Sequence, residues 1–300
     1  SFPTVRFPNP EEPGALDALS ALAREVSADL GVANDPDADR LAVIAPREDG
    51  SEEALSGNEI GRRLAPSPPA AGDPREARVV INTVVSSPML GVIAEAHGAA
   101  FAQSLTGHKW IHARAMEEEA RGRRFVFGYE EALGYAAGSL VRDKDGISAL
   151  LLFCDFAARQ KARGVSVLSA RDELLRRYGA YVSLQESWVL PGVDGQATIR
   201  ALVERANALP VTSLGGVPVV ARISGRDATR RHVDGRTEAL GWAPSDLLVI
   251  ELEGGQRAML RPSGTEPKLK LYFDGRAELR AGESIGSARA RAQQVAKAIR

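Results

Sequence analysis

The chain has 300 residues, of which 44% are apolar and 26% are charged, and its formal net charge at pH 7 is −1. This length and composition suit a chain of at most about three domains with sizeable cores and exclude disordered, collagenous and coiled-coil proteins. No run reaches the roughly 18 uninterrupted apolar residues of a membrane span. The aromatic content of 5% and the lack of a basic stripe argue against nucleic-acid binding.

The cysteine content, the N-terminus and the charge distribution give three further expectations. Cys154 is the only cysteine and cannot form an internal disulfide, which favours a reducing, cytoplasmic setting. The chain opens without an initiator Met or a signal peptide, so we expect it to be part of a longer protein. Its net charge is −6 before Ser187 and +5 from Ser187 onward. This asymmetry suits a metal site followed by an anion site, although ordinary surface variation explains it equally well.

The first block, residues 1–70, combines helices with two short strands. The predicted elements are a helix over 14–28, strands over 30–33 and 41–45, and a helix over 58–64. The proline-rich stretch at 66–74 predicts a linker or exposed loop.

The other two blocks differ in their pattern of elements. In the second block, residues 71–185, strands alternate with helices, which predicts a parallel sheet covered on both faces. Its predicted elements are strands over 78–82, 100–103 and 125–127 and helices over 88–97, 111–121 and 146–163. The third block, residues 186–300, has predicted strands over 187–190, 217–223, 247–253, 257–260 and 270–273 and helices over 196–208 and 284–299. The predicted fold class is therefore parallel-type α/β domains followed by a C-terminal α+β domain with a mostly antiparallel sheet.

An acidic loop lies between the two strands of the first block. Asp35, Asp37 and Asp39 alternate with small or cyclic residues, and hard oxygen ligands gathered in this way suit Mg²⁺ or Ca²⁺. An EF-hand is excluded, because its sixth position would be Arg40 instead of glycine and its twelfth Pro46 instead of glutamate. A solvated acidic turn is the remaining alternative.

A second chemically suggestive loop runs from Arg261 to Lys268 and lies between two predicted strands. Gly264 allows backbone amides to turn inward, hydroxyl side chains add donors, and the Arg261 guanidinium offers a planar fork for a phosphate. The alternative is a plain hairpin turn, and the two cationic side chains favour the anion site.

Three further segments are uninformative when taken singly. Residues 106–110 follow a strand and precede a helix, a position that suits a ligand loop. Residues 127–135 carry adjacent acids between glycines, which could accept hydrogen bonds from sugar hydroxyls. Residues 142–146 end at a predicted helix start, where Asp145 could simply cap the helix.

Taken together and in chain order, the motifs DPDADR, TGHKWI, GYEEALGY, RDKDG and RPSGTEPKLK resemble the α-D-phosphohexomutase superfamily. That family includes phosphoglucomutases, phosphomannomutases and a phosphopentomutase-like branch. The segments at 7–12 and 57–61 extend the resemblance over nearly the whole chain. The resemblance implies that residues 1–70 are the end of a metal-binding domain 2. It implies that residues 71–185 are a sugar-binding domain 3 and residues 186–300 a phosphate-binding domain 4.

The resemblance also implies roles for matching residues. The three aspartates of the acidic loop would hold Mg²⁺, and Arg40 would lie beside the reacting phosphoryl group. Lys144 would hold phosphate or assist proton transfer, and Glu130 would bind sugar hydroxyls. The remaining implied substrate-binding residues are Gly107, His108, Lys109, Arg261, Ser263, Gly264 and Thr265.

The implied activity is a phosphosugar mutase that interconverts hexose 1-phosphates and 6-phosphates through a sugar 1,6-bisphosphate. Two departures from the family pattern qualify this expectation. Ala132 replaces the serine of the sugar loop, as in the phosphopentomutase-like branch, so ribose or deoxyribose phosphates are an alternative. The chain contains no Ser-His pair, whereas the family carries its phosphoserine in a Ser-His-Asn loop of domain 1. The expected partners are therefore a phosphosugar and the missing N-terminal domain, with no nucleic acid and no membrane. A further alternative is a non-catalytic fragment that binds Mg²⁺ and phosphosugar.

Overall fold

The computed structural model describes residue 5 and residues 8–65, 77–192, 194–263 and 267–300. The chain forms two compact units, Ser1–Leu174 and Leu175–Arg300. The linker predicted at 66–74 lies outside the described residues. Within the described part of the chain, every helix is too short or too polar to cross a membrane.

The first unit contains six helices and seven strands among its described residues, the last helix continuing into the second unit. Its helices are α1 Asp17–Glu25, α2 Gly57–Leu64, α3 Met89–Ala96, α4 His108–Ala120, α5 Gly146–Ala162 and α6 Val167–Tyr178. Its strands are β1 Gly31–Asn34, β2 Leu41–Pro46, β3 Glu52–Ala54, β4 Arg78–Thr83, β5 Ala100–Ser104, β6 Arg124–Glu130 and β7 Gly134–Ala136.

Two sheets organise this unit. The four-stranded sheet has the order β5-β4-β6-β7, with β4 parallel to both β5 and β6 and the short β7 antiparallel to β6. Helices cover both of its faces. Val80 of β4 packs in one apolar cluster with Leu90 of α3, while Val79 and Ile81 pack on the other face with Ile111 of α4. The predicted parallel sheet with helices on both faces is therefore confirmed.

The other sheet of the first unit is antiparallel throughout, in the order β1-β2-β3. Short loops join its strands, and parallel strands would require a crossover of a dozen or more residues. The acidic loop at 35–40 is thus the connection of a β-hairpin. The parallel-type arrangement expected for the α/β part of the chain is confined to the four-stranded sheet.

The second unit is an antiparallel sheet with helices, as predicted. The elements are β8 Ala180–Val189, α7 Gly195–Ala208, β9 Ser213–Leu214, β10 Val217–Ser224, β11 Thr229–His232, β12 Thr237–Ala239, β13 Leu248–Leu252, β14 Arg257–Pro262, β15 Lys268–Ala277 and α8 Ile285–Ala298. The strand order is β12-β11-β10-β13-β14-β15-β8, with β9 on β10, and all the described pairings are antiparallel. Helix α8 packs closely on β15, where a Cβ at Gly275 would lie 1.9 Å from the carbonyl oxygen of Ala292.

Several element boundaries were predicted wrongly. The strand predicted at 125–127 extends to Glu130, and the strand predicted at 187–190 is only the end of β8, which begins at Ala180. The first helix is shorter than predicted and ends at Glu25. Sequence patterning missed the short strands β3, β7, β9, β11 and β12, because two- to four-residue strands carry little hydrophobic periodicity. It also missed α6, although the buried residues Val167, Ala170, Leu175 and Tyr178 recur at helical spacing.

Candidate functional site

The acidic loop brings its three carboxylates together. One oxygen from each of Asp35, Asp37 and Asp39 lies within 4.8 Å of the others. The base of the loop is closed by two hydrogen bonds. The Asn34 side-chain amide donates to the Arg40 carbonyl at 2.6 Å, and the Arg40 N–H donates to Asp35 Oδ1 at 3.0 Å.

The electrostatics of this loop favour a bound cation. Burial raises the pKa of Asp35, the Arg40 N–H lowers it, and the charges of Asp39 and Asp37 raise it again, so that the net shift is upward. Carboxylates that repel one another in this way are relieved by a cation placed among them. Hard carboxylate oxygens that leave coordination positions for water or phosphate are what Mg²⁺ prefers, so the donor set fits this ion.

Two cationic side chains flank the carboxylates. Lys144, in the loop between β7 and α5, places its Nζ 2.9 Å from Asp39 Oδ2. Burial lowers the pKa of Lys144, but its hydrogen bond to Asp39 and the nearby acidic charges outweigh that effect and raise the pKa overall. Lys144 is therefore protonated at neutral pH. Arg40 Nε lies 3.6 Å from Asp35 Oδ2.

Gly134 is the point at which three predicted site residues converge. A Cβ placed on Gly134 would lie 2.7 Å from Lys144 Cδ, 2.8 Å from Glu130 Oε1 and 2.9 Å from His108 Nε2. Only glycine leaves room for these three side chains at one place. Gly134 also forms an isolated antiparallel bridge with Arg40, which joins the acidic loop to this cluster.

His108 is buried at the start of α4, with 3% of its surface exposed. Neither ring nitrogen makes a hydrogen bond of standard geometry among the described residues. Burial lowers the pKa of His108 to about 4, with partial compensation from the backbone of Gly134, so the imidazole is neutral at pH 7. A neutral imidazole is able to donate one hydrogen bond and accept another, so His108 could bind a ligand group as well as the backbone of Gly134.

The loop expected around Gly107, His108 and Lys109 is a helix start instead. Gly107 is the N-cap of α4 with φ of 109°, and His108 and Lys109 form the first turn. Glycine allows this backbone conformation, so the chain turns directly into the helix. Lys109 is exposed and its Nζ lies 5.2 Å from the centre of the Trp110 ring.

The predicted anion site falls in the second unit. Arg261 on β14 is paired in register with Lys270 on β15. Two cationic side chains at paired positions of neighbouring strands could bind an anion between them. The Ser263 N–H donates to the Lys268 carbonyl at 2.7 Å and holds the two strand ends together. Gly264 and Thr265 lie outside the described residues.

Sequence reasoning missed the residues that hold the site together. A Cβ on Gly146 would lie 2.3 Å from the Arg40 carbonyl oxygen, 2.6 Å from Asn34 Nδ2 and 2.7 Å from the Ala38 carbonyl oxygen. The N-terminus of α5 thus packs directly on the acidic loop. Asp145 caps this helix by accepting from the N–H groups of the second and third residues after it, which confirms the capping alternative. The only sequence clues to this packing are an asparagine directly before the acidic motif and a glycine directly after a helix cap.

Three sequence models from one family match the chain in succession. They are described as phosphoglucomutase/phosphomannomutase alpha/beta/alpha domain II over residues 1–50, alpha/beta/alpha domain III over residues 60–178 and C-terminal domain over residues 199–292.

Curated proteins similar to the chain are named as several different phosphomutases. The chain is 38% identical to a probable phosphomannomutase from Haemophilus influenzae, over 93% of the chain and 52% of that protein. It is 36% identical to a probable phosphoribomutase from Schizosaccharomyces pombe, over 100% of the chain and 51% of that protein. It is 33% identical to the phosphopentomutase of Homo sapiens, over 91% of the chain and 46% of that protein. The chain thus spans about half the length of the curated relatives it matches.

Solved structures of this family share the fold. The Paramecium phosphoglucomutase parafusin matches with a TM-score of 0.65 at 16% identity, over 97% of this chain and 50% of that one. A phosphoglucomutase/phosphomannomutase family protein from Burkholderia thailandensis matches with a TM-score of 0.54 at 22% identity, over 97% of this chain and 52% of that one. With three domain models of one family matching in order along its length, this chain belongs to the α-D-phosphohexomutase superfamily.

Proposed function

We propose that this chain is the metal-, sugar- and phosphate-binding part of a phosphosugar mutase that interconverts hexose 1-phosphates and 6-phosphates through a sugar 1,6-bisphosphate. The observation that supports this most strongly is the meeting of Glu130, Lys144 and His108 at Gly134, beside the acidic loop. A cation site, a protonated lysine and a hydroxyl-binding carboxylate in one place suit a phosphorylated sugar.

Phosphoryl transfer depends on charge neutralisation and positioning more than on covalent chemistry by the protein. In this proposal Asp35, Asp37 and Asp39 hold one Mg²⁺, which neutralises phosphoryl charge when bound. Arg40 lies beside the reacting phosphoryl group and orients its oxygens. Lys144, protonated at neutral pH, holds a phosphate oxygen or supplies a proton to the leaving oxygen.

The sugar and the second phosphate are assigned to separate groups. Glu130 accepts hydrogen bonds from sugar hydroxyls, and the neutral His108 is available to bind a further hydroxyl. Gly107 and Lys109, at the start of α4, are assigned to the same group of sugar-binding residues. The phosphate that is not transferred is assigned to Arg261, Ser263, Gly264 and Thr265 of the second unit.

None of the residues assigned above carries the phosphoryl group that is transferred. The sequence holds no Ser-His pair that would match the family's phosphoserine loop. We therefore expect the 300-residue chain by itself to bind phosphosugars and to turn none over, with catalysis requiring that loop from the same protein. The cytoplasmic setting inferred from Cys154 stays a prediction.

A pentose phosphate is the second candidate substrate. Ala132 occupies the place of the family's serine in the sugar loop. Two of the similar curated proteins are named phosphoribomutase and phosphopentomutase. A mutase acting on ribose or deoxyribose phosphates would use the same metal and phosphate residues.

Calorimetric titration of the 300-residue chain in Mg²⁺ tests the proposal. Glucose 1-phosphate, ribose 1-phosphate and inorganic phosphate are compared, and the tighter of the two sugar phosphates identifies the substrate class. We expect Arg261→Ala to lose most of the binding, because a charge-assisted phosphate contact is removed. Arg280→Ala, an exposed arginine of the same unit, serves as the control and should bind as the parent does.

The same samples are then assayed for mutase activity with glucose 1-phosphate and catalytic bisphosphate. We expect no turnover above buffer. Absence of phosphosugar binding would contradict the assigned site, and robust turnover by this chain would contradict the account of the missing phosphoserine loop.

A further inference from the structure

The two adjacent carboxylates after β6 have different surroundings. Glu130 Oε1 lies beside Gly134 and faces the proposed sugar site. Glu131 Oε2 turns the other way and lies 3.1 Å from Ser86 Oγ and 3.2 Å from Thr83 Oγ1. We propose that Glu131 is a positioning residue, which acts on the sugar through Glu130 and does not touch the substrate. This inference rests on the proposed function of Glu130.

The side chains of Glu131, Thr83 and Ser86 form a closed ring of three oxygen contacts, over which the two hydroxyl groups share their two protons. Thr83 ends β4 and Ser86 lies in the turn before α3, and both are fully buried. Their hydroxyl oxygens are 2.7 Å apart, and both contact the same carboxylate oxygen of Glu131. Hydrogen bonds to a carboxylate are charge-assisted and stronger than those between neutral groups. Removing the carboxylate would leave one of the two buried hydroxyl protons without an acceptor, because only one hydroxyl can donate to the other.

The ring also fixes the backbone that carries Glu130. The N–H of Glu131 belongs to the peptide unit that joins it to Glu130, and it donates to Ser86 Oγ at 3.0 Å. On the other side, a Cβ on Gly57 would lie only 2.0 Å from the Glu131 carbonyl oxygen, so α2 packs directly on the next peptide unit. Both peptide units of Glu131 are therefore held, and with them the direction in which Glu130 leaves the strand.

The residue before Glu130 is held by a connected network. Asn58 Oδ1 accepts hydrogen bonds from the Ser87 N–H at 2.7 Å and from the Tyr129 hydroxyl at 3.2 Å. Asn58 and Tyr129 are both buried, with 9% and 0% of their surfaces exposed. The turn after β4 thus supports the sugar loop at two successive points, one on each side of Glu130.

These contacts predict that loss of the Glu131 carboxylate weakens sugar binding and leaves the binding of Mg²⁺ and phosphate intact. Loosening Glu130 reduces the recognition of sugar hydroxyls, because a carboxylate displaced by a fraction of an ångström forms poorer hydrogen bonds. The acidic loop is bridged to Gly134, but it keeps the hydrogen bonds at its base and its packing on α5, and the second unit contains none of these residues. The affinities for Mg²⁺ and inorganic phosphate should therefore be retained.

The test compares Glu131→Ala and Glu131→Gln with the parent chain by calorimetry. We expect Glu131→Ala to weaken glucose 1-phosphate binding about tenfold, the effect of about 1.4 kcal/mol. Inorganic phosphate and Mg²⁺ should bind that variant within about twofold of the parent. Glu131→Gln should restore most of the affinity, since its amide oxygen can still accept from the hydroxyl pair. Glu95→Ala removes an exposed carboxylate on α3 and should bind as the parent does.

Amide hydrogen exchange gives a readout that is independent of any ligand. Glu131→Ala should exchange faster over residues 128–135, by about tenfold, while residues 42–46 of β2 exchange as in the parent. Unchanged exchange at 128–135 would overturn the positioning role, and so would a parallel loss of all three ligand affinities. If the parent binds no phosphosugar, the proposed function fails, and the exchange result still decides whether Glu131 fixes the loop.

Discussion

His108 makes the stability of the chain depend on pH. Its pKa is about 4 in the folded chain and 6.5 as an ordinary histidine, so the unfolded chain binds more protons between these values. Stability is therefore complete above pH 6.5 and is lost as the pH falls toward 4. Between pH 7.5 and pH 5.0 this histidine alone should lower the free energy of unfolding by about 2 kcal/mol.

Urea unfolding at the two pH values measures this effect. His108→Gln should reduce the difference between them by about 2 kcal/mol, because glutamine does not titrate. His97→Gln, at an exposed histidine, is the matched control for the loss of an imidazole. An equal pH response in the parent and His108→Gln would show that the imidazole is solvated in solution.

At the scale of single residues, sequence motifs named candidate ligand-facing groups but not the groups that support them. The acidic triplet could be named as a candidate metal site, because alternating carboxylates supply the oxygen ligands of a divalent cation. Gly134 could not be assigned from the sequence, because its role depends on the close approach of β7, α4 and the loop that carries Lys144. The different roles of Glu130 and Glu131 also depend on which face of the strand end each occupies, and adjacent identical residues offer no clue to that.

At the scale of elements, the two glycines Gly146 and Gly286 give a matched test of helix packing. Both lie in the first turn of a helix, α5 and α8 respectively. A Cβ on Gly146 would lie 2.3 Å from a backbone oxygen of the acidic loop, whereas a Cβ on Gly286 would meet only Ser284 Oγ at 3.8 Å. We expect Gly146→Ala to lower the free energy of unfolding by about 1–3 kcal/mol, since backbone must move to admit the methyl group.

Gly146→Ala should also weaken the stabilisation by Mg²⁺, because the displaced backbone belongs to the loop that holds Asp37 and Asp39. Gly286→Ala should be neutral or stabilising by up to about 1 kcal/mol, as expected from helix propensity. Urea unfolding with and without Mg²⁺ measures both effects. Parent-like stability in Gly146→Ala would contradict the close packing of α5 on the acidic loop.

The β-hairpin of β6 and β7 shows why some elements could not be predicted. Its turn contains Leu133 with φ of 61°, a left-handed conformation that bulky residues rarely adopt. The sequence therefore carries no Asn-Gly or Gly-rich signal of a hairpin there. A tertiary hydrogen bond stabilises this turn instead, since the N–H of Leu41 donates to the carbonyl of Leu133 at 3.1 Å. Elements built on continuous apolar runs, such as α5 and β4, were predicted within one residue of their ends.

At the scale of the whole molecule, charge asymmetry agrees with the placement of the candidate sites. The acidic loop lies in the first unit, and the paired cations Arg261 and Lys270 lie in the second. The pattern of elements predicted the parallel strands of the second block and the antiparallel sheet of the third, but not the antiparallel sheet of β1, β2 and β3. The division of the first 185 residues into two domains stays a prediction.

The final prediction assigns each ligand to its own unit by hydrogen exchange. Mg²⁺ should slow amide exchange in the first unit over residues 31–46, because it ties together carboxylates that otherwise repel one another. Inorganic phosphate should slow exchange in the second unit over the strands Arg257–Pro262 and Lys268–Ala277, since it would bind between the cationic side chains of Arg261 and Lys270.

Two variants separate these effects from general stabilisation. Asp37→Asn should abolish most of the Mg²⁺ protection at residues 31–46 and leave the phosphate protection intact, because one of the three carboxylates loses its charge. Arg261→Ala should abolish most of the phosphate protection over the strands Arg257–Pro262 and Lys268–Ala277 and leave the Mg²⁺ protection intact. Each ligand acts where its counter-charges are concentrated, so the two responses should be lost independently. Loss of both protections in either variant would mean that the variant has disturbed the fold and not a binding site. An unchanged Mg²⁺ response in Asp37→Asn would remove the acidic loop as the metal site.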